Sequence, residues 1–182
     1  MSEKLNRKIL LSGDINEESI QKVIEDIIAI NEEDDKRSVQ CKDWTRIPIQ
    51  LFINSGGGNV YDGFALIDIM RQSKTPIHTI TIGSAMSMAM MIFMAGHKRY
   101  VGEYSTLMFH DISALVHDKT ESIRARLGEL NRLQAMICTV VATNSEVPPE
   151  VLIEHLNKKE DWYIASDEAL KLGLAHDYFR WS

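Results

Sequence analysis

The chain has 182 residues, of which 45% are hydrophobic and 25% are charged. These proportions are typical of a soluble globular protein, and the length suits one sizeable core, so we expect a single domain over residues 1–182. The formal net charge of -6 provides no basic surface for nucleic acid or for an anionic membrane. Neither is therefore an expected partner.

The cysteine pattern and the N-terminus favour a reducing cytoplasm. Cys41 and Cys138 lie far apart and form neither a disulfide framework nor a CxxC pattern. The first residues, "MSEKLNRKILLSG", lack the apolar core of a secretory signal. The run Thr79–Gly96 carries no charge over 18 residues, but it begins with β-branched residues and turns at Gly83 and Ser84. We therefore expect a strand and a buried helix there, not a membrane span.

The first half of the chain alternates between strand and helix patterns. A strand at "KILLSG" precedes an amphipathic helix in "INEESIQKVIEDIIAI", for which Asn16 is the expected cap. Residues 31–48 are charged and aperiodic, which predicts a surface loop or insertion. A strand at "IQLFIN" ends in "SGGG", and a second helix begins near Val60.

The second half continues this alternation. A strand at "IHTITI" leads into an apolar helix with Ser84 as its expected cap, and short strands follow at "KRYV" and "TLMF". A long helix is expected over 120–143, opened by Asp118 and Glu121 at capping-box spacing. Prolines at 148–149 begin a short helix, "WYI" forms a strand, and Gly173 closes the helix "SDEALKLG". The pattern indicates an α/β fold with the apolar helix at its centre.

Two segments could support chemistry at the ends of strands. The segment "SGGGN" at 55–59 offers exposed backbone N–H groups for an anion or an oxyanion, although it matches neither a P-loop nor the GxGxxG pattern. Ser87 lies in the first turn of the apolar helix, where the N–H of Met88 could face a developing oxyanion. A serine at such a position is more often a structural cap than a nucleophile.

A base and an acid are less evident from the sequence. His110 ends the apolar strand "STLMFH", which can present a rigid side chain at a sheet edge. Asp161 precedes "WYI", a position that on its own is typical of a solvent-exposed acidic residue in a turn. Lys98 offers a weaker Ser-Lys alternative. The histidines show no metal-ligand spacing, so no metal and no cofactor is expected.

Taken together, these segments resemble the proteolytic subunit of the Clp protease, from about Arg7 to about Tyr178. "LFINSGGGNVYDG" is similar to the family's "INSPGG" segment, and "TIGSAMSMAM" to its nucleophile motif "GQAASMGA". "TLMFHD" is similar to "MIHQP", and "EDWYIASDEALKLGLAHD" to "RDRFLSAPEAVEYGLVD". The chain order Ser, His, Asp also differs from those of chymotrypsin-like, subtilisin-like and α/β-hydrolase enzymes.

The resemblance implies a serine endopeptidase of the ClpP/crotonase fold, a repeated ββα superhelix with a protruding handle helix at about 111–145. It implies Ser87 as nucleophile, His110 as base and Asp161 as the acid that orients it, with Gly58 and Met88 as oxyanion donors. It further implies polypeptide substrates, a homo-oligomer of one or two stacked heptameric rings, and an AAA+ ATPase unfoldase as a partner.

Departures from the family pattern keep other functions open. Gly56 replaces the family's proline, Glu160 replaces an arginine, and the stretch after His110 lacks the family's Pro and its glycine-rich strand. These differences favour, as alternatives, a catalytically weak or inactive ring subunit or scaffold. Three further alternatives remain: a phage-type capsid-maturation protease, a signal-peptide-peptidase-like relative, and a crotonase-like protein that binds coenzyme A.

Overall fold

The computed structural model describes residues 6–112 and 120–181, which contain one mixed sheet and the helices that pack on it. The strands are β1 (Lys8–Ile15), β2 (Ile49–Gly58), β3 (Ile77–Met86), β4 (Lys98–Val101), β5 (Thr106–Phe109), β6 (Trp162–Ala165) and β7 (Asp177–Tyr178). The helices are α1 (Glu17–Gln40), α2 (Val60–Gln72), α3 (Met88–Met94), α4 (Thr120–Thr143), α5 (Pro149–Lys158) and α6 (Ser166–Lys171). The expected α/β fold is confirmed.

The sheet topology creates a branch at β3. The path β1-β2-β3-β4-β7 is parallel throughout, and the end of β3 pairs with β5 instead of β4. Strand β6 then pairs antiparallel with β5. The C-terminal end of β3, the end of β5 and the start of β6 are thereby brought to one place.

The apolar run Thr79–Gly96 forms the latter part of β3 and all of α3, as expected. Every residue of α3 is buried, and the helix lies in the main hydrophobic cluster with the inward residues of β1, β2 and β3. Within the residues that the structure describes, no helix combines the length and apolarity needed to cross a membrane.

The first helix is longer than the sequence pattern predicts. Asn16 caps it in a reciprocal capping box with Ser19, as expected for Asn16. The helix continues to Gln40, so the expected loop over 31–48 is wrong for residues 31–40. Regular structure is absent only from 41–48 of that segment.

The charges in 31–40 have helical partners, which explains the error. Glu33 pairs with Arg37 one turn later, at 2.9 Å. Asp34 is fully buried, and its carboxylate accepts hydrogen bonds from Arg7 and, at 2.7 Å, from the Thr75 hydroxyl. A charged stretch can therefore be helical when one acid is buried and satisfied.

The long helix expected over 120–143 is confirmed as α4. Residues 113–119 of the expected handle region, including His117 and the cap candidate Asp118, lie outside the described residues. The Tyr61 hydroxyl of α2 donates to Glu129 of α4 at 2.9 Å. Hydrogen bonds from Arg132 and then Tyr61 lower the pKa of Glu129 to about 2. This contact joins α4 to the start of α2.

Candidate active site

Ser87 occupies a strained turn between β3 and α3. Its φ of 53° and ψ of -125° lie in a region that non-glycine residues rarely adopt, and such strain is concentrated at functional sites. The Ser87 N–H donates to the Met108 carbonyl at 2.9 Å, and its carbonyl accepts from the Met90 N–H at 3.0 Å. These bonds hold the turn on both sides.

The expected helix cap at Ser84 is wrong, because β3 continues through Met86 and α3 begins only at Met88. Ser84 is instead part of an irregular strand segment, where its N–H donates to Asn54 Oδ1 at 3.2 Å. Ser87 occupies the N-cap position, but its hydroxyl makes no capping hydrogen bond. That hydroxyl is available for another partner.

The glycine run of β2 lies directly against this turn. A methyl group at Gly57 would come within 2.7 Å of the Ser87 Cβ, so only glycine permits the close approach. The Gly57 N–H is already bonded to Ser55 Oγ at 3.1 Å. The next residue, Gly58, lines the cavity beside Ser87. Sequence reasoning noted that the glycines permit close approach but did not identify Gly57 as the contact.

The partner of the Ser87 hydroxyl is His110. Its Nε2 lies 2.8 Å from Ser87 Oγ. With the proton on Nδ1, Nε2 accepts the hydrogen bond from the hydroxyl, which is the arrangement that general-base activation of a serine requires. Both side chains extend from the ends of paired strands, β3 and β5.

Strand register explains why Asp161 lies near His110. In the antiparallel β5–β6 pair, Met108 is opposite Tyr163 and Phe109 is opposite Trp162. One further step places His110 opposite Asp161. The His110 Nδ1 lies 3.6 Å from Asp161 Oδ1, and the Asp161 side chain is 49% exposed. This contact is longer than an ordinary hydrogen bond.

A cavity of about 240 Å³ opens beside Ser87 and His110. Its remaining lining is Gly58, Met88 and five further apolar residues: Val60, Met91, Phe109, Ile112 and Ile137. As the first residue of α3, Met88 has an N–H without an intrahelical acceptor, and no acceptor within 6–112 and 120–181 takes it. The cavity thus combines apolar walls with an available donor.

The packing of α2 fixes the position of Met88. A methyl group at Gly63 would come within 2.3 Å of the Met88 Cγ, so glycine is required for this approach of the two helices. Met88 itself is almost fully buried. The N–H of Met88 is therefore held beside Ser87 by the packing of its own side chain.

The remaining basic candidates lie away from this site. Lys98 pairs in register with His78, which precedes Ser87 by nine residues, or roughly 30 Å along an extended strand. The Ser-Lys alternative is therefore wrong. The Nδ1 of His97 and the Nδ1 of His176 accept backbone N–H groups. His155 stacks on Trp162 at 4.4 Å, which is a packing contact.

A comparison with protein families identifies the family of the chain. The Clp protease family profile matches residues 2–179. The chain belongs to the Clp protease family. The mixed α/β sheet described above is consistent with that membership.

Curated relatives carry the same family name. The chain is 35% identical over 128 residues to an "ATP-dependent Clp protease proteolytic subunit" from Deinococcus radiodurans, covering 69% of this chain and 62% of that relative. It is 31% identical over 170 residues to proteins from Borreliella afzelii and Borreliella burgdorferi, the latter named "ATP-dependent Clp protease proteolytic subunit 1". Those matches cover 92% of this chain and 80% and 81% of the relatives.

The structure adds a contact that sequence reasoning missed. The Tyr163 hydroxyl donates to Asp161 Oδ2 at 3.4 Å. The two residues are separated by two positions, which in a strand places their side chains on one face. This separation of two positions is visible in the sequence. It points to a functional contact only once Asp161 is known to lie beside His110.

Proposed function

We propose that this chain is a serine endopeptidase in which Ser87, His110 and Asp161 act together on unfolded or presented polypeptides. The observation that carries the proposal is the 2.8 Å contact between Ser87 Oγ and His110 Nε2 at a strained turn. The Clp protease family is one of peptidases, and its profile spans the whole arrangement. The contact between Ser87 and His110 is therefore the one that a serine peptidase would need.

The proposed reaction begins when Ser87 Oγ attacks the peptide carbonyl carbon. His110 Nε2 takes the hydroxyl proton and then gives it to the leaving amine, so that an acyl-enzyme forms and the amine departs. Water then attacks the acyl carbon with His110 again as base; the bond to Ser87 Oγ breaks, His110 returns the proton to Oγ, and the carboxylic acid product leaves. Asp161 faces His110 Nδ1 at 3.6 Å and stabilises the imidazolium during both steps.

Backbone N–H groups provide the proposed oxyanion site. Met88 supplies one from the first turn of α3, where the N–H has no intrahelical acceptor. Gly58 supplies the other from the end of β2, on the lining of the same cavity. A donor held by packing needs no reorganisation when charge develops, which favours the transition state over the bound substrate.

The cavity walls indicate the substrate class. Val60, Met91 and Ile137 present hydrocarbon beside the proposed nucleophile, and no charged side chain is among the described residues that line the space. An apolar side chain preceding the scissile bond would be buried there without leaving a charge unpaired. We therefore place leucine-like and methionine-like residues at this position of the substrate.

A ring-shaped homo-oligomer is part of the proposal. The relatives are named as subunits of an ATP-dependent protease, which also suggests an AAA+ ATPase partner. Leu10 is 62% exposed on the sheet face opposite α1, and Ile28 is 44% exposed on α1. Exposed apolar side chains on two different layers suit head-to-tail contacts, which close into a ring when the rotation between neighbouring subunits allows it. The two free cysteines suit a reducing compartment such as the cytoplasm.

The ring is tested by the mass of the purified protein. We expect light scattering at micromolar concentration to give an integral multiple of the 20.7 kDa chain consistent with one or two heptamers. Leu10→Asp should lower that mass, because it places a charge in an apolar contact. A stable monomer across the concentration range would contradict the ring and leave the chemistry of the site to be judged separately.

The nucleophile is tested with a fluorophosphonate probe and intact-mass detection. We expect one adduct per chain, mapped by peptide sequencing to Ser87, because the probe reacts with serines activated by a base. The adduct should be absent from Ser87→Ala and from protein unfolded in urea. No adduct on the folded protein would contradict the endopeptidase and favour the inactive ring subunit or scaffold.

A further inference from the structure

The two oxygens of the Asp161 carboxylate contact two different aromatic side chains. Its Oδ1 lies 3.6 Å from His110 Nδ1, and its Oδ2 accepts the Tyr163 hydroxyl at 3.4 Å. Each oxygen therefore has a different partner. The side chain is 49% exposed, so water competes for both oxygens.

The β5–β6 register brings the three groups to one face. Tyr163 is opposite Met108, and the next pair on the same face is His110 and Asp161. Asp161 and Tyr163 are neighbours on this face because alternate residues of a strand point the same way. Met108 is buried, whereas Tyr163 is 57% exposed.

A half-exposed aspartate needs a second constraint to stay in one rotamer. On its N-terminal side Asp161 follows an exposed turn, in which Lys159 and Glu160 are both at the surface. A hydroxyl that donates to Oδ2 restricts rotation about the carboxylate and leaves Oδ1 directed at His110. At 3.4 Å the hydroxyl is farther from Oδ2 than in an ordinary O–H···O hydrogen bond, so it is a weak restraint that favours one rotamer of Asp161.

We infer that Tyr163 is a positioning residue of the proposed active site, and this inference rests on the proposed function. Its hydroxyl holds Asp161 Oδ2 so that Oδ1 faces His110 Nδ1. Tyr163 does not take part in proton transfer. Its contribution passes through Asp161 and depends on that carboxylate.

The test is Tyr163→Phe, which removes the hydroxyl and keeps the ring. We expect about three- to tenfold slower fluorophosphonate labelling of Ser87 and a similar fall in kcat for a peptide with leucine before the scissile bond, with KM unchanged. In an Asp161→Ala background the same substitution should have no further effect, because the acceptor is gone. Tyr104→Phe is the matched control, because it removes the hydroxyl of a tyrosine that is 90% exposed and lies outside the proposed site.

The alternative outcomes are distinguishable. Labelling of Ser87 at equal rates with and without the Tyr163 hydroxyl would overturn this inference and leave the proposed function standing. An equal loss in the Asp161→Ala background would show a structural role for Tyr163, and a raised KM with unchanged kcat would show a substrate contact; either overturns it. Absence of labelling in the unaltered protein would overturn both the proposed function and this inference.

Discussion

Replacing Ser87 by alanine is expected to lower peptide hydrolysis by about 10⁴- to 10⁶-fold. The loss is large because the hydroxyl is the atom that attacks, and the strained turn at Ser87 holds it 2.8 Å from His110 Nε2. The residual rate would come from the oxyanion site and substrate binding alone. Initial rates with a leucine-containing fluorogenic peptide measure the effect.

His110 provides the second arm of this experiment. We expect His110→Ala to lower the rate of peptide hydrolysis about as much as Ser87→Ala does. The double variant should be no slower than either single variant, because the two side chains act as one unit. Ser84→Ala, in the same segment, should retain activity within about twofold, since the Ser84 bond to Asn54 that uses its backbone N–H survives. Additive losses from Ser87 and His110 would contradict a shared step.

The order of strands and helices was accessible from the sequence because the patterns are strong. The alternation of apolar residues in β1 to β3 and the uncharged run into α3 both predict buried elements, and α4 has a continuous helical period. The failure at residues 31–40 has a physical cause. Asp34 is buried by partners more than 25 residues away in the chain, and no local period contains that information.

The site was harder to predict than the fold. Ser87, His110 and Asp161 were selected as a set through a family resemblance, since each alone has a bland structural explanation. Their proximity depends on β3 pairing with β5 at its end and on the β5–β6 register. The Tyr163 contact was missed because it follows from that register. Pairing between distant strands is a tertiary property, so local sequence patterns do not specify it.

A buried cation links the sheet to the C-terminal segment. Arg99 of β4 is only 6% exposed, and its guanidinium donates to backbone carbonyls. The strongest contacts are to Leu174 at 2.7 Å and Asn144 at 2.7 Å, with Gly173 at 3.1 Å. Burial lowers the pKa of Arg99 from its usual high value. Asn144 follows the end of α4, and Gly173 and Leu174 follow the end of α6, so Arg99 joins both segments to β4.

Arg99→Met is expected to lower the free energy of unfolding by about 3 to 5 kcal/mol, because it leaves several buried carbonyls without donors. Urea denaturation at fixed protein concentration measures the change, since an oligomer makes stability depend on concentration. Arg71→Met, an exposed arginine at the end of α2, is the matched control and should cost less than about 1 kcal/mol.

The conservative variant separates charge from geometry. Arg99→Lys keeps a cation but has a single nitrogen, which cannot reach Leu174, Asn144 and Gly173 together, so we expect about half of the Arg99→Met loss to remain. Asn144 directly follows α4, and α4 supplies Ile137 to the cavity wall. Both variants should therefore also weaken the binding of apolar peptides, measured at urea concentrations below the unfolding transition. Equal stability of Arg99→Lys and the parent would show that the charge alone, without the fork of donors, holds the two segments together.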